Sequence, residues 1–351
     1  MTYNFSVVQK ECEKLFDIVD VSKLKNQKIL ITGASGLIGS FFADFFNYLN
    51  ENHQYNIEIF LTSFGSSTGL ERIKHLIDKN NIKYFSWDAS KEIEESKIDK
   101  INYVFFCSGY GQPAKFTKDN VKTAFINTVG LNSILKCLEK RPDTNLLFIS
   151  SSEIYGDPDE NNIPTKETYN GSYSIENNRA SYICSKRLGE IICLQYKEKI
   201  NIKIARVGLI YGPGTLSNDD RVLQNFIFKA HKDKKIKMLD DGSAIRNYLY
   251  LLNGAEIILK IFLHGNDIIY NVGGDSEPTS ILEIANIISN YFEIEVEKGE
   301  ELKNDIVKNS PKNVYLSMEK YKKEFNVNLK DIINLKEGIK AVILWYNFLE
   351  I

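Results

Sequence analysis

The sequence is poor in the residues that build metal centres and disulfide frameworks. It has five cysteines without a Cys-x-x-Cys spacing, and none of its four histidines lies at ligand spacing from a cysteine or another histidine. This pattern argues against a structural metal site and favours free thiols. Cys107, Cys137 and Cys193 lie within apolar runs and are expected to be buried.

Targeting segments and charge excess are also lacking. The N-terminus, MTYNFSVVQKECEKLF, has no basic segment followed by an apolar run, and no apolar run approaches the ~20 residues of a membrane span. Lys and Arg total 44 against 46 for Asp and Glu, so no polyanionic partner is indicated. We therefore expect a cytoplasmic protein that binds neither nucleic acid nor membrane.

What the chain does have is a regular alternation of short apolar runs with helical patterns between residues 28 and 207. Such alternation is typical of an α/β fold with a doubly wound parallel sheet, covered by helices on both faces. The predicted strands are 28–32, 58–62, 82–87, 101–106, 145–150 and 202–207. Helices are predicted at 115–139 and around Tyr182.

The alternation fades after residue 207, which divides the chain into three predicted parts. Residues 1–26 form a helical lead-in, because apolar residues recur there at helical spacing. Residues 27–207 form a nucleotide-binding domain, and residues 208–351 a smaller α/β substrate-binding portion interleaved with it. In that last portion we predict helices at 221–233, 253–263, 280–291 and 331–348, and strands at 247–251 and 268–272.

A glycine loop follows the first predicted strand. In KILITGASGLIGSFF, the residues Gly33, Gly36 and Gly39 lie directly between a strand and a helix. The first glycine permits a tight turn, the second a close approach of pyrophosphate, and the third close packing of helix on strand. The helix N-terminus then presents free N–H groups to phosphate. This context predicts a Rossmann-type dinucleotide site.

The end of the second strand leaves the choice of dinucleotide open. A carboxylate there indicates NAD and a nearby arginine indicates NADP. The chain instead has the neutral residues Thr62 and Ser63, and Arg72 lies further on. Asp88, after the third strand, is expected either to contact the adenine amino group or to serve as a turn residue.

Tyr182 and Lys186 form the candidate catalytic pair. They lie one helical turn apart and so share a helix face, about thirty residues after the polar end of the fifth strand, SSSE. A neighbouring ammonium and a cationic nicotinamide favour the phenolate of a tyrosine. Such a tyrosine can take a proton from a sugar hydroxyl while hydride leaves the same carbon. Ser151 is the candidate partner, with Ser150 and Ser152 beside it.

With these motifs, the sequence resembles the extended short-chain dehydrogenase/reductases that modify nucleotide sugars, the NAD-dependent epimerase/dehydratase family. The resemblance runs from Lys28 through the glycine loop, INTVG, SSSEIYG, RVGLIYGPG and RNYLYL. It implies a redox triad of Ser151, Tyr182 and Lys186, and an Arg246 that reaches the nucleotide diphosphate or the sugar. It also implies a homodimer formed through the helices near 115–139 and 180–199.

The resemblance implies further binding residues. NAD is the expected cofactor, with NADP as the alternative, and a nucleotide sugar is the expected substrate. The substrate residues would be Ser152, Arg179, Arg221 and Arg246. The cofactor residues would be Gly33, Ser35, Gly36, Leu37, Ile38, Gly39, Ser63, Asp88, Cys107, Asn127, Tyr182 and Lys186.

Glu153 bears on the reaction that follows oxidation. Once C4 is a ketone, the C5 proton is acidified and a carboxylate can remove it, or a 5-carboxylate can leave as carbon dioxide. Within the family, SSSEIYGDP and the spacing to Tyr182 are most similar to UDP-glucuronate decarboxylases. The expected function is therefore a lyase that makes sugars for a surface polysaccharide.

Departures from the family pattern keep other reactions open. The segment Gly208-Leu209-Ile210 has no asparagine, although the family usually supplies one after Arg206, and Leu252 and Asn253 stand where the family has an aspartate pair. The alternatives are a nucleotide-sugar 4,6-dehydratase, a 4-epimerase or 4-ketoreductase, and a scaffold that binds the cofactor without catalysis.

Overall fold

The computed structural model describes residues 5–65, 70–98, 100–141, 143–217, 219–274, 278–299, 311–327 and 333–347. The strands are β1 (Lys28–Thr32), β2 (Glu58–Ser63), β3 (Ile82–Ser86), β4 (Tyr103–Phe106), β5 (Asn145–Ser151), β6 (Asn201–Val207), β7 (Leu209–Tyr211), β8 (Ile236–Lys237), β9 (Ile245–Arg246), β10 (Tyr248–Tyr250), β11 (Ile269–Val272), β12 (Thr279–Ser280), β13 (Val296–Glu297) and β14 (Asn313–Val314).

The α-helices lie between these strands and after them. They are α1 (Phe5–Ile18), α2 (Leu37–His53), α3 (Lys74–Ile77), α4 (Pro113–Phe116), α5 (Asn120–Phe125), α6 (Leu131–Leu138), α7 (Ala180–Gln195), α8 (Val222–Asp233), α9 (Leu251–His264), α10 (Ile281–Phe292), α11 (Glu319–Phe325) and α12 (Leu335–Asn347). No helix in the described ranges is long and apolar enough to cross a membrane.

Seven parallel strands form the central sheet, in the order β11-β6-β5-β4-β1-β2-β3. Ile29, Leu30 and Ile31 of β1 are fully buried, because helices cover both faces of the sheet. The predicted α/β fold with a doubly wound sheet is therefore confirmed. The strand order reverses between β1 and β4, and ligands of such sheets bind at the carboxyl ends of the strands beside this point.

The predicted helix 115–139 is wrong as a single element. The structure has α4 and α5 there, then a π-helical turn at Ile126–Gly130, then α6. Asp119 ends the run before α5, because its side chain accepts the backbone N–H of Lys122 and caps a new helix. The π turn adds one residue to the helix and turns Asn127 into the interior, where it is fully buried.

The second half of the chain contributes to the central sheet as well as to a smaller layer. β11 pairs with β6, with Ile269 beside Ile204, so the two portions share one sheet. The shorter strands pair outside it, as β10 with β7, β13 with β8, and β9 between β12 and β14. Helix α12 begins later than predicted, and residues 331, 332 and 348 of the predicted helix lie outside the described ranges.

Candidate active site

The glycine loop joins β1 to α2. Gly33 has a φ of +63°, which favours glycine, and a Cβ at Gly39 would lie 2.5 Å from the carbonyl oxygen of Gly33. Ser35 and Gly36 form the turn, and Leu37 and Ile38 begin the helix behind the Gly36 N-cap. The unpaired N–H groups of this helix start can bind an anion such as a dinucleotide pyrophosphate.

Cys107 and Asn127 line the next part of the site. A Cβ at Gly33 would lie 2.7 Å from the carbonyl oxygen of Cys107, so the backbone just after β4 packs closely against the glycine loop. Burial raises the pKa of the Cys107 thiol to about 12, so this side chain is uncharged at neutral pH. Asn127 donates to Thr123 and to Ser185 Oγ at 3.1 and 3.0 Å, while its buried Oδ1 has no hydrogen-bond partner among the described residues.

Ser63 ends β2 and Asp88 follows β3, where we expect the adenosine of the dinucleotide. The hydroxyl of Ser63 is 3.2 Å from that of Tyr84. Asp88 accepts the N–H and hydroxyl of Ser90 at 3.1 and 2.7 Å and pairs with Lys122 at 3.1 Å. Burial opposes ionisation of Asp88, but these contacts outweigh it and lower its pKa. The turn role of Asp88 is therefore present, and its contact with adenine stays a prediction.

Tyr182 and Lys186 both face the sheet from the start of α7 and are almost fully buried. The ammonium of Lys186 donates to the carbonyl of Ile149 at 2.7 Å. Burial lowers the pKa of Lys186 to about 8 and raises that of Tyr182 to about 12. The loss of solvation has the largest effect on the tyrosine. The expectation that the ammonium and a cationic nicotinamide together favour the phenolate stays a prediction.

Ser151 ends β5 next to this tyrosine. Its hydroxyl accepts the backbone N–H of Glu153 at 3.2 Å and caps the short 3-10 helix Ser152–Tyr155. A hydrogen bond between Ser151 and Tyr182 opposes the effect of burial on the tyrosine pKa. The structure thus brings the three residues of the predicted redox triad together at the carboxyl edge of the sheet.

Glu153 is engaged by Arg179, which immediately precedes α7. Nε of Arg179 donates to Oε2 of Glu153 at 2.9 Å, and Nη2 donates to Oε1. The arginine side chain is 7% exposed and that of the glutamate 20%. A bidentate pair with this little exposure is worth more than a surface ion pair, because solvent screens it less. Both carboxylate oxygens of the candidate base therefore accept a hydrogen bond from one guanidinium.

The predicted substrate arginines have different surroundings. Arg246 donates to the carbonyls of Ile245 and Lys312, and it lies within electrostatic reach of Glu153 and Arg179. Arg221 instead donates from Nε and Nη2 to Asp219, which neutralises its charge.

Ser152 and Glu153 line a narrow cleft. Its opposite wall belongs to the second half of the chain and includes Asn313, Tyr315 and Leu316. The cleft therefore lies between the strand-end residues of the sheet and the smaller portion of the fold.

Two features of the site escaped prediction from sequence. The ring of Phe116 stacks on Tyr182, with centroids 4.3 Å apart and planes within 7°, and Arg179 lies over the same ring. Buried Glu190 pairs with Arg206 and accepts the hydroxyl of Ser150 at 2.6 Å. Glu190 follows Lys186 by one helical turn, a spacing that could have revealed it. No sequence signal pointed to Phe116.

Comparison with known proteins agrees with this geometry. UDP-glucuronic acid decarboxylase 1 of Danio rerio is 28% identical over 271 residues, which cover 76% of this chain and 61% of that protein, so the chain spans only part of its length. UDP-glucuronic acid decarboxylase 1 of Arabidopsis thaliana is 25% identical over 323 residues, covering 91% of this chain and 69% of that protein.

Solved structures share the fold. UDP-N-acetylglucosamine 4-epimerase from Methanobrevibacter ruminantium M1, in complex with UDP-N-acetylmuramic acid, matches with a TM-score of 0.78 at 18% identity, covering 93% of this chain and 99% of that chain. The model of the NAD dependent epimerase/dehydratase family matches residues 29–273, most of the chain. The protein therefore belongs to the NAD-dependent epimerase/dehydratase family.

Proposed function

We propose that the protein is a nucleotide-sugar lyase that oxidises UDP-glucuronate at C4 and then releases carbon dioxide from C5, with NAD as its cofactor. The relatives named UDP-glucuronic acid decarboxylase support this assignment. The observation that carries it is the bidentate pair of Arg179 with Glu153, placed beside Ser151 and Tyr182.

Oxidation at C4 depends on the triad. Bound NAD would supply the hydride acceptor and a positive charge on its nicotinamide ring. Tyr182 would take the proton of the C4 hydroxyl, and Ser151 would share that hydrogen bond. The ammonium of Lys186 stabilises negative charge nearby, although its hydrogen bond to Ile149 keeps it in place behind the tyrosine. Asn127 Oδ1 remains available to accept a further hydrogen bond.

The state of Glu153 favours decarboxylation over dehydration. Dehydration needs a base that removes the C5 proton, and both oxygens of Glu153 already accept hydrogen bonds from Arg179, an ion pair that opposes protonation of the carboxylate. Loss of carbon dioxide needs no such base. The electrons of the broken carbon–carbon bond stay on C5 and are stabilised by the C4 ketone, and a proton then returns to C5. The hydride taken up at oxidation would return from the cofactor to C4, so that substrate and product differ by carbon dioxide alone.

The charges around the sugar position favour an acidic sugar. Arg179 and Glu153 neutralise one another, which leaves Arg246 as a cation within reach of both. Asp157 also acts on Arg246, but it is exposed, so solvent screens its charge. A half-buried cation that has no close carboxylate partner among the described residues suits the carboxylate of a uronic acid or the diphosphate next to it.

Mass spectrometry of the product tests the proposal. Purified protein with UDP-glucuronate and NAD should yield a product lighter by carbon dioxide, and Tyr182→Phe should not. UDP-glucose is the matched substrate without a carboxylate, and we expect no loss of mass from it. A UDP-glucuronate that stays unchanged while NAD is bound would contradict the proposed substrate.

The other reactions predict different products. Loss of water from a nucleotide hexose would indicate a 4,6-dehydratase, and an isomer of unchanged mass a 4-epimerase. Consumption of reduced dinucleotide would indicate a 4-ketoreductase. Binding of dinucleotide without turnover of any nucleotide sugar would indicate a non-catalytic scaffold.

The site of action and the assembly are further parts of the proposal. We infer that the protein works in the cytoplasm as a homodimer and supplies a sugar for a surface polysaccharide. Support for the dimer comes from α5 and α7, which pack against each other and expose Val121, Phe125, Leu188 and Ile191.

A further inference from the structure

Two side chains of α7, one helical turn apart, contact consecutive residues of β5. Lys186 donates to the carbonyl of Ile149 at 2.7 Å, and Glu190 accepts the hydroxyl of Ser150 at 2.6 Å. Because side chains four residues apart share a helix face, the ammonium and the carboxylate lie over the same stretch of strand. Both residues are buried, so solvent does little to screen the charge of one from the other.

Two contacts fix the carboxylate of Glu190. Nη2 of Arg206 donates to its Oε2 at 2.7 Å, and Nε of the same arginine lies 3.1 and 3.2 Å from the two oxygens. The hydroxyl of Ser150 donates to Oε1, which is therefore directed to β5, the strand that the lysine also contacts. The arginine comes from β6 and its Nη1 donates to the hydroxyl of Tyr155 at 2.9 Å, so it compensates the carboxylate from the other side.

Among the described residues, the other groups that face Lys186 carry no negative charge at neutral pH. These groups are the thiols of Cys107 and Cys193, the hydroxyl of Tyr182, the amide of Asn127 and the ring of Phe148. Burial raises the pKa of both thiols and of the tyrosine, so all three are uncharged. Glu190 is therefore the anion that opposes the effect of burial on the lysine.

We propose that Glu190 is a positioning residue of the oxidation step, which acts through Lys186 by placing a fixed negative charge behind the ammonium that supports Tyr182. A buried ammonium keeps its charge only where an opposite charge offsets the lost solvation. The inference rests on the redox triad of the proposed function, but not on the sugar substrate or on decarboxylation. The competing role of Glu190 is structural, because it could only tie α7 to β6 through Arg206.

The protonation of Lys186 distinguishes the two roles. NMR of the purified protein, isotope-labelled at the Cε carbons of lysine, measures it directly, and the signal is identified by its loss in Lys186→Arg. Burial lowers the pKa of this lysine to about 8 in the parent protein. Glu190→Gln should lower the pH at which Lys186 loses its proton by at least about one pH unit, since a neutral amide no longer offsets the ammonium.

Two further variants separate the charge from the contacts. Ser150→Ala removes a hydrogen bond but keeps the ion pair, so Lys186 should lose its proton near the pH of the parent protein. Glu190→Gln combined with Arg206→Met removes both charges, a change that buried pairs tolerate better than the loss of one partner. Lys186 should still lose its proton at a lower pH in this double variant, which keeps the test valid if Glu190→Gln does not fold.

The titration of Lys186 needs no sugar, so the inference and the proposed function fail separately. An unchanged titration in both Glu190 variants, or an equal shift in Ser150→Ala, would overturn the inference and leave Glu190 as a structural tie. Conversion of UDP-glucuronate alongside an unchanged titration would leave the proposed function standing. The expected shift without conversion of UDP-glucuronate would instead contradict only the proposed reaction.

An active protein gives a second measurement. The pH at which oxidation slows should fall in Glu190→Gln together with the pH at which Lys186 loses its proton. A purely structural role would lower the rate of oxidation by the same factor at every pH, and that result would contradict the inference.

Discussion

Arg179 and Glu153 form a closed pair in which both carboxylate oxygens accept hydrogen bonds from one guanidinium. The same guanidinium lies over the ring of Phe116, which in turn stacks on Tyr182. Glu153, which we expect to act after the oxidation, is thus connected through Arg179 and the ring of Phe116 to Tyr182. Tyr182 is the residue that we expect to take part in the oxidation itself. A change in the pair should affect the second step more than the first.

Glu153→Gln should leave C4 oxidation in place and slow carbon dioxide release by about 10–100-fold, the effect of one charge-assisted hydrogen bond to the departing carboxylate. Without the glutamate, the charge of Arg179 is free to hold the substrate carboxylate, and this attraction disfavours its departure. Reduced nicotinamide should then accumulate with a ketone sugar of unchanged carbon count, detected by absorbance and mass spectrometry. Unimpaired decarboxylation in this variant would remove Glu153 from the mechanism.

Tyr182→Phe should lower turnover by at least about 10²-fold while nucleotide-sugar binding persists, because the ring keeps its stack on Phe116 and only the hydroxyl is lost. Phe116→Leu is the companion variant. It keeps the hydroxyl but removes the stacked ring, so it should lower kcat with a smaller effect. Single-turnover kinetics with titration of bound UDP measures both effects, and equal turnover in Tyr182→Phe and the parent would rule out a proton transfer through Tyr182.

The pH dependence of oxidation should follow Lys186. Burial lowers the pKa of this lysine to about 8, so its ammonium is present below that pH and lost above it. If the charge assists the reaction, the rate of oxidation falls as pH rises through about 8. Lys186→Arg stays charged at every accessible pH, so its rate of oxidation should not fall as pH rises through about 8. A rate that keeps rising above pH 8 in the parent would contradict the role.

Gly39→Ala should damage the dinucleotide site. The added Cβ would lie 2.5 Å from the carbonyl oxygen of Gly33, so α2 must move away from the loop. We expect a cost of about 1–3 kcal/mol in the free energy of unfolding and much weaker NAD binding. Gly111→Ala is the control, since a Cβ there meets no atom within 4 Å. Denaturant titration and calorimetry compare the two, and equal effects would mean that the clash is relieved elsewhere.

The homodimer prediction can be tested on the exposed apolar face of α5 and α7. Val121 is 66% exposed and Ile191 53%, and both lie on this face. Ile191→Lys should shift the protein from dimer to monomer in sedimentation velocity, because a charge in an apolar interface is costly. Leu239→Lys, at an exposed leucine outside these helices, is the control. A monomeric parent protein would show the dimer prediction to be wrong.

The sequence predicted the central sheet well because local patterns carry the information. Each strand of the sheet is a short apolar run, and the buried residues of β1 need to be apolar whichever neighbour covers them. The glycine loop was recognisable for a similar reason, since the turn at Gly33 and the close approach at Gly39 tolerate few other residues. The spacing of Tyr182 and Lys186 likewise follows from helix geometry alone.

The features that escaped prediction depend on contacts between distant parts of the chain. The π turn within the predicted helix 115–139 lies where Asn127 turns inward toward α7, and nothing local in the apolar pattern indicates it. The place of β11 in the central sheet is equally non-local, because it pairs with a strand more than sixty residues earlier. Phe116 reaches Tyr182 from a different helix.

By itself, therefore, the sequence determined the sheet and the glycine loop, and it predicted the redox residues, since periodicity, glycine requirements and helix spacing are properties of short segments. Only the tertiary structure decided the electrostatics. In the folded chain Arg179 pairs with Glu153, and Asp219 neutralises Arg221. Arg72 contacts the glycine loop. Charge acts through space and depends on burial, so which cations remain for a ligand is settled only when the chain is folded.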